Sequence, residues 1–221
     1  MSLKRIFYSI FSIYSSLNIS FSRNKKARTI VCIGDSQTTQ GGTNGKYSDH
    51  LQQLLPNHSI INKGISGDTL ESGRKRFQKD VLRFNPDIVV IQLGANDYWK
   101  MERSIGELHY DLENMVEQCV EKKIKVIIAS CFERDKDEEI LHDGKETATE
   151  LKRAKFALDI GRMEHEIVRQ YNCFYIPNIQ IDIKPNTNSE FWIDANHPNN
   201  LGNELVAKRI LKEIKKALKQ L

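Results

Sequence analysis

The chain has 221 residues, room for one domain of the usual ~100–250 residues with a short extension and too few for two. With 39% hydrophobic and 28% charged residues it is not disordered by composition, and no stretch offers the ~20 unbroken apolar residues of a membrane-spanning helix. The net charge of +4 is segregated: residues 1–29 carry six bases and no acid, residues 203–221 six bases and two acids, and residues 30–202 hold 21 bases against 27 acids. An acidic body argues against a nucleic-acid groove, while base-rich ends suit either an anionic membrane surface or simple solvation.

Between Arg5 and Arg23 lie 17 uncharged residues, ten of them apolar or aromatic, interrupted by six serines and Asn18. Lys4 and Arg5 ahead of the apolar run, with Ser20 and Ser22 at small-x-small spacing, read as a secretory signal cut after Ser22. The same residues place Ile6, Ile10, Ile13, Leu17 and Phe21 at helical spacing, which fits a membrane-surface helix, and a Ser-rich, acid-free segment also fits an organelle transit peptide. The reading is therefore an N-terminal segment over 1–28 followed by one domain over 29–221, exported or membrane-associated rather than cytoplasmic.

From Thr29 onward, short β-branched runs alternate with longer periodic ones, the pattern of βα units around a parallel sheet. The predicted strands are Thr29–Ile33, Ser59–Asn62, Asp87–Leu93, Lys125–Ser130 and Cys173–Ile176. Unbroken hydrophobicity in the third and fourth makes them central. Leu108, Leu112, Met115, Val116, Cys119 and Val120 share one helical face, as do Ala207, Ile210, Leu211, Ile214 and Leu218 in the last helix. Glu133–Glu150, with eight acids and three bases, reads as a solvated loop or lid opening into a long helix, with Ile140 and Leu141 as a lid edge. Cys32, Cys119, Cys131 and Cys173 lack CxxC spacing and suggest no disulfide framework or zinc site.

Ligands of an open α/β sheet bind beyond the carboxyl ends of its strands. Those ends carry Gly34-Asp35-Ser36, Gly64-Ile65-Ser66-Gly67-Asp68 and Gly94-Ala95-Asn96-Asp97, and Asp194-Ala195-Asn196-His197-Pro198 precedes the last helix. A serine hydroxyl needs an adjacent base to become a nucleophile, and His197 can supply one. Asp194, three residues earlier, can accept from the other ring nitrogen and fix the tautomer. The backbone N–H groups of Ser36 and Gly67 and the Asn96 side-chain amide are candidate donors for an oxyanion. Taken singly, each of these residues also fits ordinary turn and capping chemistry.

Together, Ile33-Gly34-Asp35-Ser36, the run Asn62–Thr69, Leu93–Asp97 and Asp194–Asn199 resemble the blocks of the SGNH (GDSL-type) hydrolases, in order and over about residues 29–215. The resemblance implies a three-layer flavodoxin-like α/β sandwich whose five-stranded parallel sheet has the order 2-1-3-4-5. It also implies cofactor-free ester hydrolysis through an acyl-enzyme, with Ser36, Gly67, Asn96 and His197 as signature residues and Asp194 completing a triad. The Ile65–Thr69 run is similar to that of the thioesterase/lysophospholipase/arylesterase branch, although Gln37–Gly42 is a more polar first loop than many lipases carry.

The expected substrate is a small or lipid-like carboxylic ester or thioester; transfer of an acyl group to or from a sugar or envelope polymer, and a non-catalytic surface-tethered binding protein, are the alternatives. Tyr98, Trp99, Phe191 and Trp192 flank these turns and are candidate substrate contacts. No metal is expected: His50, His58, His109 and His142 lack ligand spacing, and Glu164-His165-Glu166 spreads around a helix. Gly41–Lys46 lacks the sequence of a phosphate loop. Nucleic acid is not an expected partner, and the oligomeric state is left open.

Overall fold

A computed structural model describes residues 26–132, 147–180, 183, 189–194 and 196–221. The N-terminal segment through Lys25, the Ile140–Leu141 edge, His142 and Ala195 lie outside the described residues. The β-branched runs form β1 (Thr29–Gly34), β2 (Ser59–Gly64), β3 (Ile88–Gln92), β4 (Lys125–Ala129) and β5 (Phe174–Ile176). They pair in parallel in the order β2-β1-β3-β4-β5, the order the family resemblance implied.

Because side chains of a strand alternate between faces, each inner strand feeds two cores. Val31, Ile33, Val89, Ile91, Val126 and Ile128 project to one side, packing on α3 (Leu70–Asp80), α5 (Ile105–Glu121) and α6 (Ala148–Tyr171). Ile30, Cys32, Ile88, Val90 and Ile127 project to the other, onto α2 (Tyr47–Leu54) and α7 (Asn200–Leu218). Two short helices, α1 (Ser36–Thr39) and α4 (Ala95–Lys100), follow β1 and β3 directly.

Helix starts follow local chemistry. Ser104 with Glu107, and Thr147 with Glu150, form reciprocal capping boxes that open α5 and α6. The acidic run therefore ends inside the first turn of α6.

Some expectations change in detail. β1 is as buried as β3 and β4, since it pairs on both edges between β2 and β3. Edge strand β2 runs two residues further than predicted. Val120 is 43% exposed rather than buried, because the apolar arc of α5 ends at Cys119 and Val120 falls beyond its margin. Leu211 and Leu218 pack only partly against the α7 core. All four cysteine thiols are free, with Cys32 and Cys119 buried.

Candidate active site

The carboxyl ends of the strands share one rim. At the end of β1, Gly34 lets two backbones meet closely: a Cβ there would stand 2.7 Å from the Gln92 carbonyl oxygen and 2.0 Å from Thr38 Oγ1. Thr38 Oγ1 donates to Gln92 Oε1 at 2.9 Å and lies 3.1 Å from Tyr47 Oη, a buried polar set that fixes α1 against β3. Asp35 caps α1 by accepting from Gln37 N at 2.9 Å. Full burial pushes the Asp35 carboxyl up to about 7, against the opposing pull of that N–H and of His197. Ser36 thus sits at the first helical position, with its hydroxyl directed at the rim.

Ser36 Oγ lies 3.0 Å from His197 Nε2. His197 Nδ1 lies 2.8 Å and 2.9 Å from the two carboxylate oxygens of Asp194. A carboxylate on Nδ1 fixes the ring proton there and leaves Nε2 as the acceptor facing Ser36. Asp194 Oδ1 also accepts from Asn196 N at 2.8 Å and His197 N at 2.9 Å, so the short loop orients its own carboxylate. The bonded His197 ring, with the Asn196 N–H second, holds the Asp194 carboxyl below its usual range. The Asp194 side chain is 52% exposed, which keeps this edge open to water.

Gly67 has φ +83°, a left-handed conformation that glycine adopts without strain, and a Cβ there would meet nothing within 4 Å. The requirement is therefore conformational rather than steric. Asn96 Nδ2 donates to the Asp68 carbonyl at 2.9 Å and approaches Asp35 Oδ2 at 3.3 Å, which ties its amide to both neighbouring loops. Arg76 donates to Asp68 Oδ2 at 2.6 Å and to the Gly34 carbonyl at 3.2 Å, and Leu70 N donates to Asp97 Oδ2 at 2.9 Å. Burial lifts Asp97 to about 6. The three candidate oxyanion donors thus belong to loops cross-braced by hydrogen bonds.

Beside these groups opens a cavity of about 190 Å³, walled by Tyr98, Trp99, Phe132 and Trp192 on its aromatic part and by Gln37, Gln180 and Asn196 on its polar part. Tyr98 packs on Trp99 and Phe132 with ring centroids 5.1 and 5.5 Å apart. Phe191, by contrast, packs against the core beneath α7 rather than lining the cavity. Gln37, Gln180, Cys131 and Phe132 are not among the substrate contacts expected from sequence, although Gln37, Cys131 and Phe132 each stand two or three residues past a strand end. Gln37 donates through Nε2 to the Asn196 carbonyl and accepts at Oε1 from Gln180 Nε2, both at 2.5 Å, latching the His197 loop to the helix that carries Ser36. A recess of about 240 Å³ at the amino ends of β4 and β5, between Val120 and Phe174, is lined by neither a serine nor a histidine. Among the described residues no three His, Cys, Asp or Glu side chains converge as a metal site.

An uncharacterized lipoprotein of Bacillus subtilis, YqeF, is 33% identical over 118 residues, 47% of this chain and 48% of that protein. An acetylxylan esterase of Geobacillus stearothermophilus is 39% identical over 72 residues, 32% of this chain and 29% of its own length. The chain thus spans about half the length of these relatives or less. Among solved structures, TesA superposes with a TM-score of 0.68 at 18% identity, covering 86% of this chain and 99% of that one, a likeness of fold. The model of the GDSL-like Lipase/Acylhydrolase family matches residues 32–205, and the chain belongs to that family.

Proposed function

We propose that the protein is a serine ester hydrolase working through an acyl-enzyme, with Ser36 as nucleophile, His197 as general base and acid, and Asp194 as the group that orients the imidazole. The 3.0 Å contact between Ser36 Oγ and His197 Nε2, backed by Asp194 on Nδ1, carries the reading. As Ser36 Oγ bonds to the ester carbonyl carbon, its proton passes to His197 Nε2. The carbonyl π electrons move onto oxygen, which takes hydrogen bonds from the Ser36 and Gly67 N–H groups and from the Asn96 amide as it gives up its longer, 3.3 Å contact to Asp35 Oδ2. Collapse expels the alcohol, which leaves with the proton from His197. Water then attacks the acyl-serine by the same route, releasing the acid and restoring Ser36. The solvent-open Asp194 edge supports water as the acceptor.

The acyl group this reading assigns is short. A cavity of about 190 Å³ is small beside the ~300–1,000 Å³ of pockets that enclose drug-sized ligands, and an alcohol part held by its walls leaves room beside it for only a short acyl group. Aromatic walls facing side-chain amides suit an alcohol part with both carbon faces and hydroxyls, as in a sugar, and the name of the Geobacillus relative lends support to an acetylated carbohydrate. Export fits the base-flanked apolar N-terminal segment and the name of the Bacillus relative.

The test is a panel of p-nitrophenyl esters of graded acyl length beside acetylated xylo-oligosaccharides. Acetyl esters should turn over fastest and Ser36→Ala should abolish turnover with the fold intact. Retained activity in Ser36→Ala removes the mechanism; a preference for long acyl chains removes the substrate reading alone.

A further inference from the structure

In this topology helices return antiparallel to the strands, so the amino ends of the strands and the carboxyl ends of the helices gather at the pole opposite the cavity. Both ends of the domain meet there: Arg28, which leads into β1, donates to the Leu221 carbonyl at 2.7 Å. Lys26 is exposed two residues earlier. The last two turns of α7 and the residue after it present Lys212, Lys215 and Lys219 to solvent, and the turn between α5 and β4 presents Lys122 and Lys123. Two nearby acids are already paired, Asp87 by Arg28 at 2.6 Å and Glu213 by Lys216 at 2.8 Å, and exposed Glu121 beside Lys122 leaves the pole with bases in excess. Bases at helix carboxyl ends answer the helix dipole, but one per helix would do so, and the surplus coincides with the point where the base-rich segment of residues 1–29 joins the domain.

We infer that this basic pole is a docking surface for an anionic lipid bilayer. Charge complementarity selects an anionic partner. The acidic body, −6 over residues 30–202, disfavours wrapping by nucleic acid, whereas a bilayer needs positive charge at one pole only. The six residues of β1, at ~3.3 Å each, set the two poles about 20 Å apart, more than two Debye lengths of ~8 Å. The cavity therefore faces away from the bilayer, toward substrate arriving from the aqueous side.

The experiment is flotation of the full chain with vesicles of equal parts phosphatidylglycerol and phosphatidylcholine, or of phosphatidylcholine alone, at about 0.1 M salt. Binding should be at least about 10-fold tighter on the anionic vesicles and should fall as salt is raised. The combined variant Lys122→Gln, Lys123→Gln, Lys212→Gln, Lys215→Gln and Lys219→Gln should lose about 10³–10⁴-fold in vesicle affinity while hydrolysing a soluble ester at the wild-type rate. Equal binding to both vesicles, an unchanged variant, or tighter binding to duplex DNA than to anionic vesicles overturns the inference. Since flotation reads binding alone, the outcome is independent of whether the hydrolytic reading holds.

Discussion

Replacing Gln37 by Leu cuts the latch between the nucleophile's helix and the histidine loop. The wild-type amide donates to the Asn196 carbonyl and accepts from Gln180 Nε2, both at 2.5 Å. Asn196 is exposed, so water replaces the lost donor and no buried acceptor is orphaned. The loss is therefore the net worth of one or two hydrogen bonds, ~0.5–1.5 kcal/mol each. Other ties keep the loop folded: Ile193 N to the His197 carbonyl at 2.8 Å, Asn199 N to the Phe191 carbonyl at 2.8 Å, and Asn203 Nδ2 to the Pro198 carbonyl at 3.2 Å. What loosens is the placement of Nε2 against Ser36. If about 1–2 kcal/mol of that positioning reappears in the barrier, kcat for p-nitrophenyl acetate falls about 5–30-fold at saturating substrate. Thermal unfolding measured in parallel should show little change. A wild-type kcat, or a loss above ~10³ matched by a drop in melting temperature, refutes the reasoning.

Asn96→Ala removes one oxyanion donor and should lower kcat by about 10²–10³ while KM moves only a few-fold, read by steady-state kinetics. Gly34→Ala drives a methyl to within 2.7 Å of the Gln92 carbonyl, so it should lower both stability and activity, read by denaturant midpoint and ester turnover together. Glu164 is buried, takes a hydrogen bond from Tyr175 Oη at 3.3 Å, and has its carboxyl raised by burial to about 8. Between the unfolded-state value near 4 and that folded value, only the native state holds the proton, so stability falls as pH rises through the window, by up to about 1.4 kcal/mol per unit. Glu164→Gln should flatten that slope in denaturation series at pH 5 to 8, and an unchanged slope contradicts it.

Much of this architecture was legible because its signals are local. Unbroken β-branched runs marked β1, β3 and β4, and the residues immediately after them, Ser36 and Asn96, stand at the rim where an open α/β sheet places its chemistry. Asp194 and His197 are three residues apart, so their contact needed no knowledge of the tertiary fold. What stayed hidden depends on segments distant in sequence. The Gln37 to Asn196 link joins positions 159 residues apart through a side chain and a backbone carbonyl, which leave no pattern in either segment. Arg76 is one of several bases on a polar helix, with nothing in its neighbourhood to mark it, yet it braces Asp68 to the end of β1. Phe191 and Trp192 read alike as neighbours, and both pack on the core under α7, but only Trp192, which bridges Pro198, also lines the cavity.

The most direct measurement is peptide mass spectrometry of the protein after reaction with a fluorophosphonate. If Ser36 is the activated hydroxyl, the phosphonyl adduct forms on the Ser36 peptide alone, disappears in Ser36→Ala, and forms far more slowly in His197→Ala. Labelling spread over several serines, or undiminished in Ser36→Ala, contradicts the account.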